Sequence, residues 1–409
     1  MKLKNFKKLI ALMLTFALML ATLVGCGDND TKNDDKKTGK ENSGSFAEVM
    51  LKTCDLEKCS FNMDFDFAIS AKDLEDAVTT TSSGDRLADV FQMLGITGDT
   101  IKGTLSFEGK VNENDDFSAI ISVKLGNISG EVTEVIYTGD KLYISISKTV
   151  EFVKYIAKKF GAEALIEESL AAIPDKEYVE LSVEDAANAV LVTGDEYVEA
   201  LENIDKEELK AAIKFALEEI EKIAKKADGY SEDNGYTLTI NKDNIYAWFK
   251  NGIDVVVSDI DKFYEKLEAV VGEKLSSEIS KEDIEKVKEQ YSEIDDEKWN
   301  ELKESLDDEL KDISQLELKL NAAQEGDSIL FSIGTVIGMD SDKVDIAIKC
   351  KLTPEDSVEI TTPDSVITEE ELNELMSKDE EPDIYIDDTD LEYDYNKDFE
   401  ELLSSVYED

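Results

Sequence analysis

Apolar and polar residues alternate with a period of two over several consecutive stretches of this chain. In 60–70 the odd-numbered positions are apolar, whereas Asn62 and Asp64 belong to the other set. The same alternation recurs in 101–111 and in 117–125. Because successive side chains of a strand point to opposite faces, this pattern predicts half-buried strands. Clusters of turn-forming residues between them favour antiparallel neighbours with one apolar face.

Other stretches carry apolar residues at helical spacing. The strongest is 206–227, where an apolar stripe runs along one side, Asp205 and Glu208 are spaced as a capping box, and Gly229 follows the end. The predicted helices are 46–56, 149–173, 206–227, 242–251, 259–271, 281–292 and 296–312. The predicted strands are 60–70, 101–111, 117–125, 131–138, 141–147, 314–322, 327–337 and 343–352. This order predicts an α+β fold with amphipathic helices packed on an antiparallel sheet.

The chain follows one plan twice: a strand, a helical stretch, and then consecutive strands. The first half covers 60–182 and the second covers 236–360, each with helical insertions. A duplication fits this plan, although no repeat is visible at the level of residues. We predict that both halves complete a single sheet within one domain, 46–367.

The apolar faces of the first-half strands are rich in aromatic and branched side chains. Flexible Met and large Phe side chains suit an adaptable pocket wall. The residues predicted to form an apolar ligand wall are Phe61, Met63, Phe65, Phe67, Leu105, Phe107, Ile121 and Val123. The same residues would serve equally well as ordinary core, and the sequence leaves both interpretations open.

The beginning of the chain has the pattern of an export signal. Four lysines precede the apolar run 9–24, which is shorter than the roughly 20 residues that a transmembrane helix needs. The run ends in Leu23-Val-Gly-Cys26, which resembles the lipobox of bacterial lipoproteins. The resemblance implies that the signal peptide 1–25 is removed and that Cys26 is lipidated. An uncleaved anchor helix is the alternative.

Lipidation would hold the protein on a membrane without a spanning segment. Each buried lipid CH₂ contributes about 0.8 kcal/mol, so two or three acyl chains on Cys26 form a stable anchor. Residues 26–45 are polar and lack aromatic side chains, which predicts a flexible tether with a span of roughly 25 Å. We therefore expect a cell-membrane location on the extracytoplasmic face, and the lysine-rich, arginine-poor composition suggests a Gram-positive source.

The composition is strongly acidic. The chain has 95 acidic and 44 basic residues, a net charge of −51, and loss of the four lysines in 1–25 would make it −55. This excludes nucleic acid as a partner, because phosphate contacts need a basic surface. Residues 368–409 form an acidic tail with interleaved tyrosines and too few apolar residues to build a core. We expect this tail to be disordered or to become ordered on a basic partner.

Several kinds of chemistry are excluded. The chain has no histidine, so it has no histidine general base and no His-ligated metal site. No phosphate-binding loop, nucleophile elbow or calcium loop is present, and we expect neither a metal nor a cofactor. Besides Cys26, the cysteines are Cys54, Cys59 and Cys350. Export permits a disulfide, but the alternation places Cys59 and Cys350 in the core, where reduced thiols are also common.

A lipobox, a polar tether and an antiparallel sheet interrupted by amphipathic helices together resemble the LolA/LppX-like lipoproteins. The segments YTGDKLYIS (137–145) and TPEDSVEITTPDSVIT (353–368) are similar to segments of such proteins in their pattern of residue types. The resemblance covers roughly 46–367. It implies a curled, half-barrel-like sheet with helices against its concave face. It also implies an apolar cavity that carries lipid or a lipid-linked molecule, but it identifies no site residue.

We therefore predict a non-enzymatic lipoprotein that binds a hydrophobic or lipid-linked ligand. One alternative is a structural or interaction lipoprotein without a ligand cavity, which a tightly packed core would favour. The other is a carboxylate-dependent cell-wall glycosidase. A retaining enzyme of that kind needs two carboxyl groups about 5–5.5 Å apart in an open groove.

Overall fold

The computed structural model describes residues 44–70, 100–182, 206–271, 281–368 and 371, except positions 115, 140, 172, 174, 175, 340 and 341. The predicted signal peptide 1–25, Cys26, the predicted tether up to residue 43 and Asp205 lie outside the described residues. So does the acidic tail, apart from Thr368 and Glu371.

The described residues form a mixed α+β structure, as the pattern predicts. The strands are β1 (Cys59–Ser70), β2 (Thr100–Val111), β3 (Phe117–Leu125), β4 (Ile128–Thr138), β5 (Lys141–Ser145), β6 (Tyr178–Ser182), β7 (Tyr230–Ser231), β8 (Tyr236–Asn241), β9 (Ile313–Glu325), β10 (Ser328–Met339), β11 (Asp342–Pro354) and β12 (Val366–Ile367). The helices are α1 (Phe46–Leu51), α2 (Ile146–Lys159), α3 (Glu163–Ala171), α4 (Lys206–Lys226), α5 (Ile245–Ser258), α6 (Ile260–Val271), α7 (Lys281–Ser292) and α8 (Asp296–Glu309). A short 3₁₀ helix, Lys52–Asp55, continues α1.

These strands form one large open sheet in the order β12-β6-β5-β4-β3-β2-β1-β11-β10-β9-β8-β7. Strands β1 to β6 succeed one another as antiparallel neighbours, and β7 to β11 do the same. The pair β1–β11 joins the two runs, and the short pair β6–β12 is parallel. The two halves therefore complete a single sheet, which confirms that prediction.

One local prediction is wrong, and three short strands were not predicted. The stretch 149–173 is not one helix, because the chain breaks between α2 and α3 at Gly161, where φ is +65°. Strands β6, β7 and β12 were not predicted. They have five, two and two residues, too few for an alternation to stand out from chance.

Helix α4 ends as predicted, but Gly229 is not the residue that adopts the left-handed conformation after the helix. The left-handed conformation after the helix belongs to Asp228, with φ of 53°. The N–H of Gly229 donates to the carbonyl of Ala224 at 2.9 Å. A Cβ at Gly229 would lie only 2.4 Å from the carbonyl oxygen of Thr239 in β8. Glycine is therefore required for the close approach of the chain to the sheet.

The main buried cluster lies where α1 and α4 meet strands β1 and β8 to β11. Its most completely buried large side chains are Leu238, Ile329 and Leu352. At the other end of the sheet, α2 lies against β4, and the ring of Phe152 is 3.6 Å from the position of a Cβ on Gly130. These two helical groups contact different strands of the same sheet.

The compact unit ends at Ile367, and a second unit begins at Thr368. At its start, the N–H of Thr368 donates to the carboxylate of Glu371 at 3.1 Å, and the N–H of Glu371 donates to the hydroxyl of Thr368 at 3.3 Å. This reciprocal pair is the arrangement of a helix capping box.

Candidate ligand-binding face

The eight residues of the predicted ligand wall lie on one face of β1, β2 and β3. Met63 is opposite Phe107, which is opposite Ile121. In the same way, Phe65 is opposite Leu105, which is opposite Val123. Phe61 lies two residues before Met63 in β1, and Phe67 lies two residues after Phe65. Because side chains two residues apart in a strand point to the same face, Phe61 and Phe67 share the face of these pairs. The alternation predicted the shared face within each strand, whereas the cross-strand pairs follow from the register.

The second half of the chain extends this face beyond the predicted wall. Phe65 is opposite Ile348 in β11, Ile348 is opposite Ile333 in β10, and Ile333 is opposite Leu320 in β9. A continuous apolar row therefore crosses six strands. Its members are Leu320, Ile333, Ile348, Phe65, Leu105 and Val123. At about 4.8 Å between neighbouring strands, this row is roughly 24 Å long.

A second row runs beside the first one, on the side away from α1. Its members are Leu318, Thr335, Ile346, Phe67, Gly103 and Leu125. We refer to the two rows together as the apolar strip. Every residue of the strip is half-buried. On its other side, Ala322, Phe331 and Cys350 belong to the buried cluster under α1 and α4. The strip thus belongs to the part of the apolar face that α1 and α4 leave incompletely covered, although Leu320 at its β9 end packs against their cluster.

Aromatic rings lie over glycines at two places on this face. Gly103 is opposite Phe67, and a Cβ on Gly103 would be 2.3 Å from Cζ of that ring. Gly109 is opposite Phe61, and a Cβ there would be 2.6 Å from Cζ of that ring. Both rings therefore lie against strand β2 in space that only glycine leaves open. The sequence shows both glycines, but their role depends on the register.

The opposite face of the same strands is polar, and its groups bind one another. The Thr104 hydroxyl donates to Asp66 at 2.7 Å, and the Ser106 hydroxyl donates to Asp64 at 2.6 Å. Lys349 in β11 forms an ion pair with Asp66 at 2.7 Å. The hydrogen bond from Lys349 is the main reason why the pKa of Asp66 is lowered. The sheet therefore separates paired charges on one face from the uncharged strip on the other.

Cys59 and Cys350 are buried on the apolar face and carry free thiols. The register places Cys350 opposite Met63, whereas Cys59 is opposite Pro354, so the two cysteines are not cross-strand partners. Burial raises the pKa of Cys350 to about 12 and is also the main cause of the raised pKa of Cys59. Both thiols behave as small apolar side chains of the core.

The described residues also form an acidic cleft with a volume of about 450 Å³, beside the 3₁₀ helix and the ends of β9 and β11. Asp55, Asp327, Glu355 and Asp356 are among its lining residues, and none of the lining residues is aromatic. The Ser60 hydroxyl donates to Glu355 at 2.8 Å, and Lys210 pairs with Asp55. Within the described ranges, no group of three or more Cys, Asp or Glu side chains is arranged to hold a metal ion.

Comparison with known proteins does not add to this picture. No family model matches the chain, and neither a curated protein nor a solved structure matches it. No helix in the described part of the chain is long and apolar enough to cross a membrane. The similarity to LolA/LppX-like lipoproteins therefore stays a prediction, and a function has to be argued from the residues themselves.

Proposed function

We propose that this protein is a membrane-anchored, extracytoplasmic lipoprotein that binds a hydrophobic or lipid-linked ligand and catalyses no reaction. The observation that carries the proposal is the apolar strip. It crosses six strands, contains no charged residue and is half-buried throughout. Its side chains keep apolar surface in contact with water, and covering that surface with a hydrophobic molecule is favourable.

The energetics favour a ligand on this strip. Complete burial of a Val, Leu, Ile or Phe side chain stabilises a structure by about 1.5–3 kcal/mol relative to exposure. Half-buried residues have gained only part of this free energy. A ligand that covers them removes the remaining apolar surface from water, without leaving a polar group of the strip unpaired apart from the hydroxyl of Thr335.

The proposal includes a finer description of the fold. The sheet curls like a half-barrel, with α1 and α4 on one side of the strip and α2 on the other. Strand twist supports curling, because neighbouring strands rotate by about 20–25° relative to each other. The contacts of α1 and α4 with β8 to β11, and of α2 with β4, support helices on both sides.

The N-terminal pattern supports the location. Acyl chains on Cys26 would hold the protein on the cell membrane, and the polar tether 26–45 would leave the folded unit near the lipids that it binds. This part of the proposal is independent of the strip, since it depends on the lipobox alone.

A structural lipoprotein without a ligand is the second candidate. One observation favours it: Phe61 and Met63 of the predicted wall, and Leu320 of the strip, pack against the buried cluster beneath α1 and α4. Part of the predicted wall is therefore core. The two candidates differ in whether the remaining wall residues contact a ligand.

Native mass spectrometry of protein purified gently from its own membrane tests the proposal. We expect a co-purifying lipid and protection of a fluorescent fatty acid from quenching. Phe65→Asp, Phe107→Asp and the milder Val123→Thr should reduce both, while circular dichroism shows an intact fold. Lys110→Asp is the matched control, because it places a carboxylate on the exposed polar face of β2. A lipid-free wild type that gives no protection would instead support the structural lipoprotein.

A further inference from the structure

The chain contains two Asn-Gly dipeptides, Asn234-Gly235 and Asn251-Gly252. In such a pair the backbone nitrogen of the glycine can attack Cγ of the asparagine side chain, because glycine has no Cβ to hinder the approach. The new bond joins the glycine nitrogen to Cγ, the Cγ–Nδ2 bond breaks, and the glycine proton leaves with the amide group as ammonia. Water then opens the resulting succinimide at either carbonyl, which leaves aspartate or isoaspartate.

Asn234 lies in the turn that joins β7 to β8, with φ of 58°. Its side chain is exposed and has no hydrogen-bond partner among the residues that the structure describes. Strand β7 has only two residues and is the last strand of the sheet. The pairs Tyr230–Leu238 and Ser231–Thr237 join it to β8. Local opening of this turn therefore breaks few backbone hydrogen bonds, which makes it a low-stability part of the molecule.

Asn251 has the same glycine neighbour but lies in the middle of helix α5. Its side-chain nitrogen, the leaving group of the reaction, donates to the backbone oxygen of Ala247 at 2.8 Å. In an α-helix each backbone N–H is bonded to the carbonyl four residues earlier. The nitrogen of Gly252 therefore becomes available for attack only when the helix opens. The molecule thus contains the same dipeptide twice, once in an exposed turn and once in a helix.

We propose that Asn234 is a site of spontaneous deamidation in the folded protein, and that α5 protects Asn251 from the same reaction. The modification changes the β7–β8 end of the sheet in two ways. It adds a negative charge beside Asp233 in the turn. When water opens the ring to isoaspartate, the backbone also passes through the former side chain and becomes longer by the Cβ atom.

The longer backbone does not fit this turn. Gly235 lies so close to β9 that a Cβ on it would be 2.8 Å from the carbonyl oxygen of Ala322. The next residue, Tyr236, is buried in the main cluster, and its ring centroid is 6.4 Å from that of Tyr230 in β7. Isoaspartate at position 234 therefore displaces β7 from this cluster. Aspartate keeps the length of the backbone and tolerates the left-handed conformation, so it changes the charge alone.

Incubation of the purified protein at mildly alkaline pH, followed by peptide mapping with mass spectrometry, tests the proposal. We expect the peptide with Asn234 to gain the mass difference between an amide and a carboxyl group at least about ten times faster than the peptide with Asn251. Tenfold corresponds to about 1.4 kcal/mol in the free energy of activation. Equal rates in the folded protein, or faster conversion at Asn251, would overturn the proposal.

The same measurement in concentrated urea separates the effect of structure from that of sequence. Both dipeptides are then unfolded, and we expect the two rates to become similar because glycine follows in both. A difference that persists in urea would show that the flanking residues cause it, and the protection by α5 would be disproved.

Two variants test the consequence of the modification. Asn234→Gly has no amide to lose at this position and adopts the left-handed conformation readily. Its urea midpoint should stay constant during incubation, whereas that of the wild type should fall. Asn234→Asp should have a midpoint close to that of the fresh wild type. A fully converted wild type with an unchanged midpoint would contradict the displacement of β7, and so would an Asn234→Asp variant that is as unstable as the incubated wild type.

Discussion

The carboxylate of Glu221 in α4 accepts a hydrogen bond from the backbone N–H of Ala47 in α1 at 3.2 Å, and both residues are buried. Lys225 contacts the other oxygen of this carboxylate at 2.6 Å. The first N–H groups of a helix have no partner within the helix, so a buried one depends on another part of the chain. Glu221 thereby links α1 to the core through a buried hydrogen bond.

We expect Glu221→Ala to lower the free energy of unfolding by about 1–3 kcal/mol, because it leaves a buried N–H without an acceptor. Glu221→Gln keeps an acceptor oxygen and should cost less. Glu218→Ala is the control: Glu218 is exposed and its partner Lys214 lies 4.0 Å away. Urea unfolding measures all three, and equal effects of Glu218→Ala and Glu221→Ala would contradict the assigned role of Glu221.

The side chain of Asn244 bonds backbone groups in the part of β8 that extends beyond its short pair with β7. Its amide nitrogen donates to the carbonyl of Thr239 at 2.9 Å, and its amide oxygen accepts the N–H of Asn241 at 2.7 Å. The side chain therefore satisfies backbone groups of β8 in the way that a neighbouring strand would. Unpaired edge groups are a template for pairing with another chain, and here they are already bonded.

We expect Asn244→Ala to destabilise the protein by about 0.5–1.5 kcal/mol, since the half-buried N–H of Asn241 loses this acceptor, whereas the carbonyl of Thr239 keeps the indole N–H of Trp248 at 2.9 Å. Asn244→Asp should lie between Asn244→Ala and the wild type, because a carboxylate accepts from Asn241 but cannot donate to Thr239. Asn251 forms only a local bond to Ala247 within α5. Asn251→Ala should therefore change stability by less than about 0.5 kcal/mol, as alanine is the better helix former. Thermal unfolding with light scattering would reveal both the stability loss and any gain in aggregation.

The raised pKa of Cys350 predicts a loss of stability at high pH. The thiol stays protonated in the folded protein up to a pKa of about 12, whereas it ionises from its ordinary value of 9.0 in the unfolded chain. Above pH 9 the unfolded state therefore binds fewer protons, and stability falls as pH rises. The loss is at most about 1.4 kcal/mol per pH unit between the two values.

Cys350→Ala removes the contribution of this thiol to the pH dependence of stability. The substitution also lowers stability at every pH, because it removes packing contacts in the core. The informative quantity is the difference in unfolding free energy between wild type and Cys350→Ala, measured in urea from about pH 8 to pH 10.5. We expect this difference to shrink as the pH rises. A constant difference would show that the thiol of Cys350 ionises equally readily in both states.

Membrane attachment should depend on Cys26 alone. We expect Cys26→Ala to abolish labelling by a radioactive or clickable fatty acid, because no other residue is predicted to be lipidated. Cell fractionation should then show a change in membrane association. The conservative variant Cys26→Ser separates loss of the thiol from a change in size. A variant that is labelled and membrane-bound like the wild type would disprove lipidation at this residue.

The alternation of apolar and polar residues was enough to predict most strands and the α+β class. Strand β3 lies where it was predicted, and β1 and β2 begin one residue earlier. These strands are long enough for a period of two to be distinct, and local sterics and burial set that period. The five residues of β6 gave no such signal, and Gly161 alone did not show that one predicted helix would become two.

The candidate site was predictable only in part, because some of its contacts depend on local geometry and others depend on the pairing of distant strands. The alternation along β1 predicted that Phe65 and Phe67 lie on one face, since the direction of side chains within a strand depends only on local geometry. That Phe65 meets Ile348, and that Phe67 lies over Gly103, depends on which strands become neighbours and in which register. Strand order is decided by the sum of long-range contacts, and no single segment encodes it. The sequence by itself thus determined an apolar face, and it predicts an export signal. Only the tertiary structure decided that the two halves of the chain share one apolar strip and that its residues are left half-buried.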